Sequence, residues 1–111
     1  MDKRAAVRVP VRVRAQCRAH GLVIDGLVED LSRSGLFLRA PRMTASPRLV
    51  EGAAAELSLD LPGEATLHFV AQVVRVEHEP RSGMALRLVG DPDQNRRSLA
   101  NFIMRQHATG R

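Results

Sequence analysis

The chain has 111 residues, 44% of them hydrophobic and 26% charged, which is room for one ordinary domain and excludes both a two-domain enzyme of usual size and a disordered tail. Phe37, Phe69 and Phe102 are the only aromatic residues, so the core must come from Val, Leu, Ile, Met and Ala, and a base-stacking surface for single-stranded nucleic acid is poorly supplied. Seventeen basic residues, sixteen of them Arg, outweigh twelve acidic ones and give a net charge of +5, which points either to an anionic partner or to a solvated Arg-rich strand face.

Cys17 is the single cysteine and makes no intrachain disulfide, in keeping with a reducing compartment. No stretch has the apolar length of a membrane span, and the N-terminus lacks the apolar run of a secretion signal. A cytoplasmic protein without a membrane partner is expected.

Residues 1–8 read as a flexible N-terminal arm carrying Arg4 and Arg8, followed by one domain over 9–111. From Arg8 the apolar residues Val9, Val11, Val13, Ala15, Cys17 and Ala19 alternate with Arg12, Arg14, Gln16, Arg18 and His20, the period of a half-buried strand. Cys17 falls on the apolar parity and reads as a buried, inert thiol. Pro10 marks the start of this strand as an edge or arm, because proline donates no ladder hydrogen bond.

A turn at His20 and Gly21 leads into the apolar run from Leu22 to Leu31 and then the loop Ser32-Arg33-Ser34-Gly35. Gly35 to Ala40 predicts a short third strand closed by Pro41, and residues 42–52 a long irregular connection. Alternation resumes at Ala55, Leu57, Leu59 and Leu61 and stops at the Pro62-Gly63 turn. Between Ala65 and Glu79 the apolar parity shifts from odd (Leu67, Phe69, Ala71, Val73) to even (Val74, Val76), the mark of a bulge in a bent barrel strand.

Pro80-Arg81-Ser82-Gly83 turns the chain into a last strand, Met84 to Val89. Asp91 as N-cap and Pro92 at the first helical position predict a helix over about 92–107, with Leu99, Phe102, Ile103 and Gln106 at helical spacing. The fold class expected is all-β: a six-stranded antiparallel barrel with a C-terminal α-helix. His20, His68, His78 and His107 are scattered and none has metal-ligand spacing to Cys or a carboxylate, so no catalytic residue, metal or cofactor is expected and the chain does not read as an enzyme.

Two short patterns remain: Arg4-Ala5-Ala6-Val7-Arg8, an RxxxR, and Asp30-Leu31-Ser32-Arg33-Ser34-Gly35, a DxSxxG. About two RxxxR pairs arise by chance in so arginine-rich a chain, whereas DxSxxG arises by chance only ~0.02 times. If the first two strands form a hairpin, residues whose numbers sum to about 38 to 40 face each other, which returns Arg8 to the side of Asp30 and Ser32. There guanidinium groups can clamp phosphates or read the O6/N7 edge of guanine. Asp30 accepts from guanine N–H groups, and Ser32 donates and accepts. Gly35 permits close backbone approach or a positive φ.

At these residues the sequence resembles the PilZ domain family, bacterial receptors for cyclic di-GMP. The resemblance covers the opening from Lys3 to Val11, the block from Val28 to Leu38, and the run from Val73 through Gly83 to Leu86 before the C-terminal helix. It implies that Arg4 and Arg8 grip phosphate and guanine, and that Asp30, Ser32 and Gly35 hold the other side of the base. The residue before the first arginine bears on whether one nucleotide or an intercalated pair is bound, and the basic Lys3 leans toward the pair.

The same resemblance implies an arm that orders over the ligand and changes the choice of a downstream protein partner, which the sequence does not name. The alternative is a ligand-independent adaptor in pilus or flagellar motility. A nucleic-acid-binding barrel using Arg12, Arg14 and Arg18 is a third reading, weakened by the missing aromatic platform.

Overall fold

A computed structural model describes residues 8–40, 50–63, 65–78, 81–89 and 93–109. The arm as far as Val7, with Lys3 and Arg4, lies outside them, as do the Asp91-Pro92 helix start and most of the 42–52 connection.

The alternating segment after Arg8 forms strand β1 (Val9–Ala19), which turns through His20-Gly21 into β2 (Leu22–Leu31). Both turn residues have positive φ, 51° and 80°, as a two-residue hairpin of the type matched to strand twist requires. Strands β3 (Gly35–Arg39), β4 (Ala54–Asp60), β5 (Leu67–Glu77) and β6 (Gly83–Val89) follow, and helix α1 (Asp93–Thr109) ends the described chain. The six strands close as an antiparallel barrel in the order β1-β2-β3-β6-β5-β4. Closure leaves no open sheet edge.

The alternation in β1 is obeyed at Val9, Val13, Ala15, Cys17 and Ala19, which are buried, whereas Val11, at the slip between Pro10 and Val13, is only half-buried against the core. At the arm end Val9 faces Leu31 and Pro10 faces Asp30, within the expected register. At the turn end the pairs run one higher, with Cys17 opposite Ile24, because the loop is only two residues and β1 slips by one between Pro10 and Val13. A second irregularity between Val28 and Leu31 sets Glu29 and Asp30 of β2 against Phe37 of β3. The parity shift in β5 is a register slip between Val73 and Arg75 against β6. Val74 is the extra residue and is exposed rather than buried as its parity predicts, while Val76 returns to pack on the core.

Strand β3 stops at Arg39, one residue short of the expected end. Ala40 leaves the ladder but stays buried, its N–H donating to the Ser82 carbonyl at 3.1 Å. Strand β6 begins one residue early, at Gly83. A Cβ there would lie 2.1 Å from the Leu38 carbonyl oxygen, so only glycine lets β6 run this close to β3. The helix starts at Asp93 and continues to Thr109, two residues beyond expectation, because its apolar stripe ends at Ile103 while the backbone ladder runs on.

Leu31, Leu36, Leu38, Leu57, Leu59, Val73 and Met84 fill the barrel. Leu99, Phe102 and Ile103 of α1 pack with the same core, about 1.5–3 kcal/mol for each such side chain removed from water. The Asn95 side-chain amide donates to the His68 carbonyl at 2.6 Å and ties the helix to β5. Burial pushes the Cys17 thiol up from 9.0 to about 11, against the lowering pull of Arg18.

Two outcomes follow from this packing. Gly83→Ala is expected to lower stability by more than ~2 kcal/mol in urea denaturation, since the clash is with backbone and the φ of 156° is strained for any other residue. Cys17, buried as the neutral thiol, contributes stability that is full below pH 9 and is lost as the pH rises through about 11. With no Tyr and one Lys in the chain, little else titrates there. The denaturation midpoint should therefore fall between pH 8.5 and 11 by an amount equivalent to about 2 kcal/mol, and Cys17→Ala should flatten that profile.

Candidate functional site

Asp30 is turned to the outside of the barrel at the irregularity near the end of β2, and three other residues gather around it. Arg8, at the entrance to β1, donates from Nη1 to Asp30 Oδ1. Arg81, in the connection from β5 to β6, brings Nη2 to 3.9 Å from the other oxygen, Oδ2. The Arg81 guanidinium also lies over the ring of Phe37, with Cζ 3.8 Å from the centroid. One carboxylate thus stands between two guanidinium groups, leaving net positive charge at the surface.

All three charged side chains are about half exposed. Ion pairs of this kind are worth roughly 0–1 kcal/mol to folding, so the cluster is not explained by stability. Phe37 differs: it follows Leu36 and precedes Leu38, which both point into the barrel, so its ring is on the outer face, yet it is only 5% exposed.

Ser32 is 1% exposed and its hydroxyl builds the turn between β2 and β3. Oγ accepts from the backbone N–H groups of Ser34 and Gly35, each at 3.2 Å, and donates to the Gly35 carbonyl at 3.1 Å. The Ser32 N–H donates to that same carbonyl at 3.0 Å, and Leu88 N–H donates to the Ser34 carbonyl at 2.9 Å, fastening the turn to β6. Gly35 serves close approach: a Cβ there would be 2.5 Å from the Leu86 carbonyl oxygen, and its φ is not in the left-handed region. The backbone it approaches is that of β6.

Of the residues singled out in the sequence, Arg8 and Asp30 are brought into contact, and Ser32 and Gly35 form the adjoining turn. Arg4 and Lys3 are outside the described residues. The sequence reading missed Arg81 and Phe37. A signal existed for Phe37, since Leu36, Phe37 and Leu38 are apolar at both parities and a barrel strand needs only one. Nothing local to Arg81 ties it to Asp30.

Next to the cluster, an open groove of about 900 Å³ runs along the outer face of β4, β1, β2 and β3. Arg12, Arg14, Glu29, Arg39 and Ser82 are on its walls. Arg39 pairs with Glu29 at 3.2 Å. The His68 ring is hydrogen-bonded to Ser58 through Nδ1 at 3.0 Å, away from Asp30. Among the described residues no three His, Cys, Asp or Glu are grouped to hold a metal, and no helix is long and apolar enough to cross a membrane.

The PilZ domain family model matches residues 2–105, which is nearly the whole chain and includes Arg8, Asp30, Ser32, Gly35 and Arg81. The chain belongs to the PilZ domain family. No curated protein matches the chain as a relative. Among solved structures this PilZ chain is similar to the Bacillus subtilis inhibitor of motility MotI/DgrA, with a TM-score of 0.82 and 19% identity over 100% of this chain and 54% of that one. It is similar also to the PilZ domain of Escherichia coli YcgR with c-di-GMP (TM-score 0.77, 15% identity, 99% of this chain and 95% of that one). The PilZ domain of CeSA from a cellulose-synthesizing bacterium follows at a TM-score of 0.69 and 17% identity, over 88% of this chain and 95% of that one. At these identities the likeness shows the shared barrel and helix. The chain spans about half the length of MotI/DgrA.

The two acidic-motif residues should separate cleanly on substitution. Ser32→Ala strips the acceptor from two N–H groups in a buried turn, and a loss of about 1–3 kcal/mol is expected in urea denaturation. Asp30→Asn, at an exposed ion pair, should shift stability by less than ~1 kcal/mol in the same measurement.

Proposed function

We propose that this PilZ protein is a receptor for cyclic di-GMP, a binding module and not an enzyme. The observation that carries the reading is the outward-facing carboxylate of Asp30 set between the guanidinium groups of Arg8 and Arg81. That arrangement suits a ligand with two needs. Its phosphates require cations, which the arginines supply, and its guanine presents N1–H and N2–H donors, which require a carboxylate that arginine cannot replace.

In this reading Arg8, together with Arg4 of the arm, grips phosphate and the O6/N7 edge of guanine. Asp30 takes the donor edge. Ser32 and Gly35 hold the β2–β3 turn beside the base, and the basic Lys3 favours an intercalated pair of nucleotides over one. The arm over residues 1–8 closes on the ligand and so alters the surface offered to a protein partner, which requires the closed state to bind the ligand better than the open one. A cytoplasmic setting follows from such a role. The c-di-GMP in the structure of the YcgR PilZ domain supports the choice of ligand.

A second reading, a ligand-independent adaptor in motility, is favoured by the likeness to an inhibitor of motility. In that case the Arg8–Asp30 pair is only a solvated contact.

Isothermal titration of cyclic di-GMP, with GTP and cyclic di-AMP in parallel, separates the two. Saturable binding selective for cyclic di-GMP, weakened at least ~10-fold by Arg8→Ala, is the expected result, and the stoichiometry reports one nucleotide or two. Absence of binding by the unaltered protein sinks the receptor reading in favour of the adaptor.

A further inference from the structure

Arg81 belongs to neither short motif, and three features of its setting fit a ligand-facing role. Its guanidinium has one face on the Phe37 ring, at 3.8 Å from Cζ to the centroid, while the side chain is 46% exposed. A plane backed by an aromatic ring on one side and open on the other is a ready surface for a second π system. Its distance to Asp30 is the second feature. At 3.9 Å Arg81 is a charge neighbour of Oδ2 and not a hydrogen-bond donor to it, while Arg8 engages Oδ1. Oδ2 therefore keeps lone pairs for an incoming N–H donor with Arg81 still in place.

The third feature is rigidity. Ser82 next to Arg81 donates from Oγ to the Ala40 carbonyl at 2.7 Å and accepts from the Ala40 N–H at its own carbonyl. Gly83 follows, where a Cβ would lie 2.1 Å from the Leu38 carbonyl oxygen and 2.9 Å from the Phe37 ring. Ser82 and Gly83 are thus tied to Ala40 and β3, and Arg81 directly precedes them with its guanidinium already over the Phe37 ring before any ligand arrives. A group held in advance loses little entropy on binding.

We propose that Arg81 is the purine-stacking residue of this site. Phe37, the Arg81 guanidinium and a guanine form three successive layers, with the guanine donor edge on Asp30 Oδ2. The assignment rests on the reading of the site as a cyclic di-GMP receptor and adds to it the residue that carries the face of the base. Asp30 chooses guanine by its edge, and Arg81 contributes affinity through the plane, with no preference of its own among purines.

The test is titration of cyclic di-GMP into the unaltered protein and into Arg81→Ala, Arg81→Lys and Arg81→Tyr, each first checked to melt within a few degrees of the unaltered chain. Stacking predicts a loss of about 10-fold for Arg81→Ala. It also predicts that Lys, which keeps the charge without the plane, does not restore binding, whereas Tyr, which keeps a plane without the charge, does so at least in part. Binding by Arg81→Ala equal to that of the unaltered protein overturns the assignment and leaves the receptor reading standing. Rescue by Lys and not by Tyr overturns it also, by making the role one of charge. Failure of the unaltered protein to bind overturns the receptor reading and this assignment together.

Discussion

The contact between β3 and β6 is the constraint on which the rest of this structure depends. These strands are far apart in the chain, and they run so close that a Cβ on Gly35 would strike the Leu86 carbonyl and one on Gly83 would strike the Leu38 carbonyl. Two glycines, one at each end of the paired stretch, let the barrel close. The same closure carries the residues before β6 over the outer face of β3. Arg81 then lies on Phe37 and beside Asp30, at a place that neither sequence neighbourhood specifies.

The electrostatics of the cluster separate what holds the barrel from what faces the solvent. Stability resides in a core of aliphatic side chains and in fully engaged turns such as that around Ser32, whose hydroxyl both accepts and donates inside the loop. The Arg8, Asp30 and Arg81 side chains are half exposed and contribute little to it. They are presented by the first residues of the β1–β2 hairpin, the end of β2 and the residues leading into β6. The DxSxxG block therefore divides its work: Asp30 is presented outward, while Ser32 and Gly35 shape the backbone that presents it.

The irregularities of register fall where the chain must re-aim side chains. The slips after Pro10 in β1 and after Val28 in β2 flank Glu29 and Asp30, and the Val74 slip bends β5 as it approaches the connection to Arg81. A regular ladder would alternate these residues between core and surface without adjusting their direction. Two slips on adjacent strands give Asp30 a position that Arg8 can reach from one side and Arg81 from the other.

Period-two alternation in β1 and β4, the two-residue turn at His20-Gly21 and the parity shift in β5 were all legible in the sequence, because each is a local rule about which face of a strand is buried. The hairpin register alone placed Arg8 beside Asp30, for the two strands are consecutive and the turn sets their pairing. Val74 was misplaced since a bulge's extra residue obeys neither parity. The sequence by itself thus determined the strand set, the closing helix and the Arg8–Asp30 contact of the candidate site, which is built on the first hairpin. Only the tertiary structure decided the rest. Arg81 and Phe37 meet through the pairing of two non-consecutive strands, whose register depends on barrel closure and on glycines packed against distant carbonyls, and no local pattern encodes that distance.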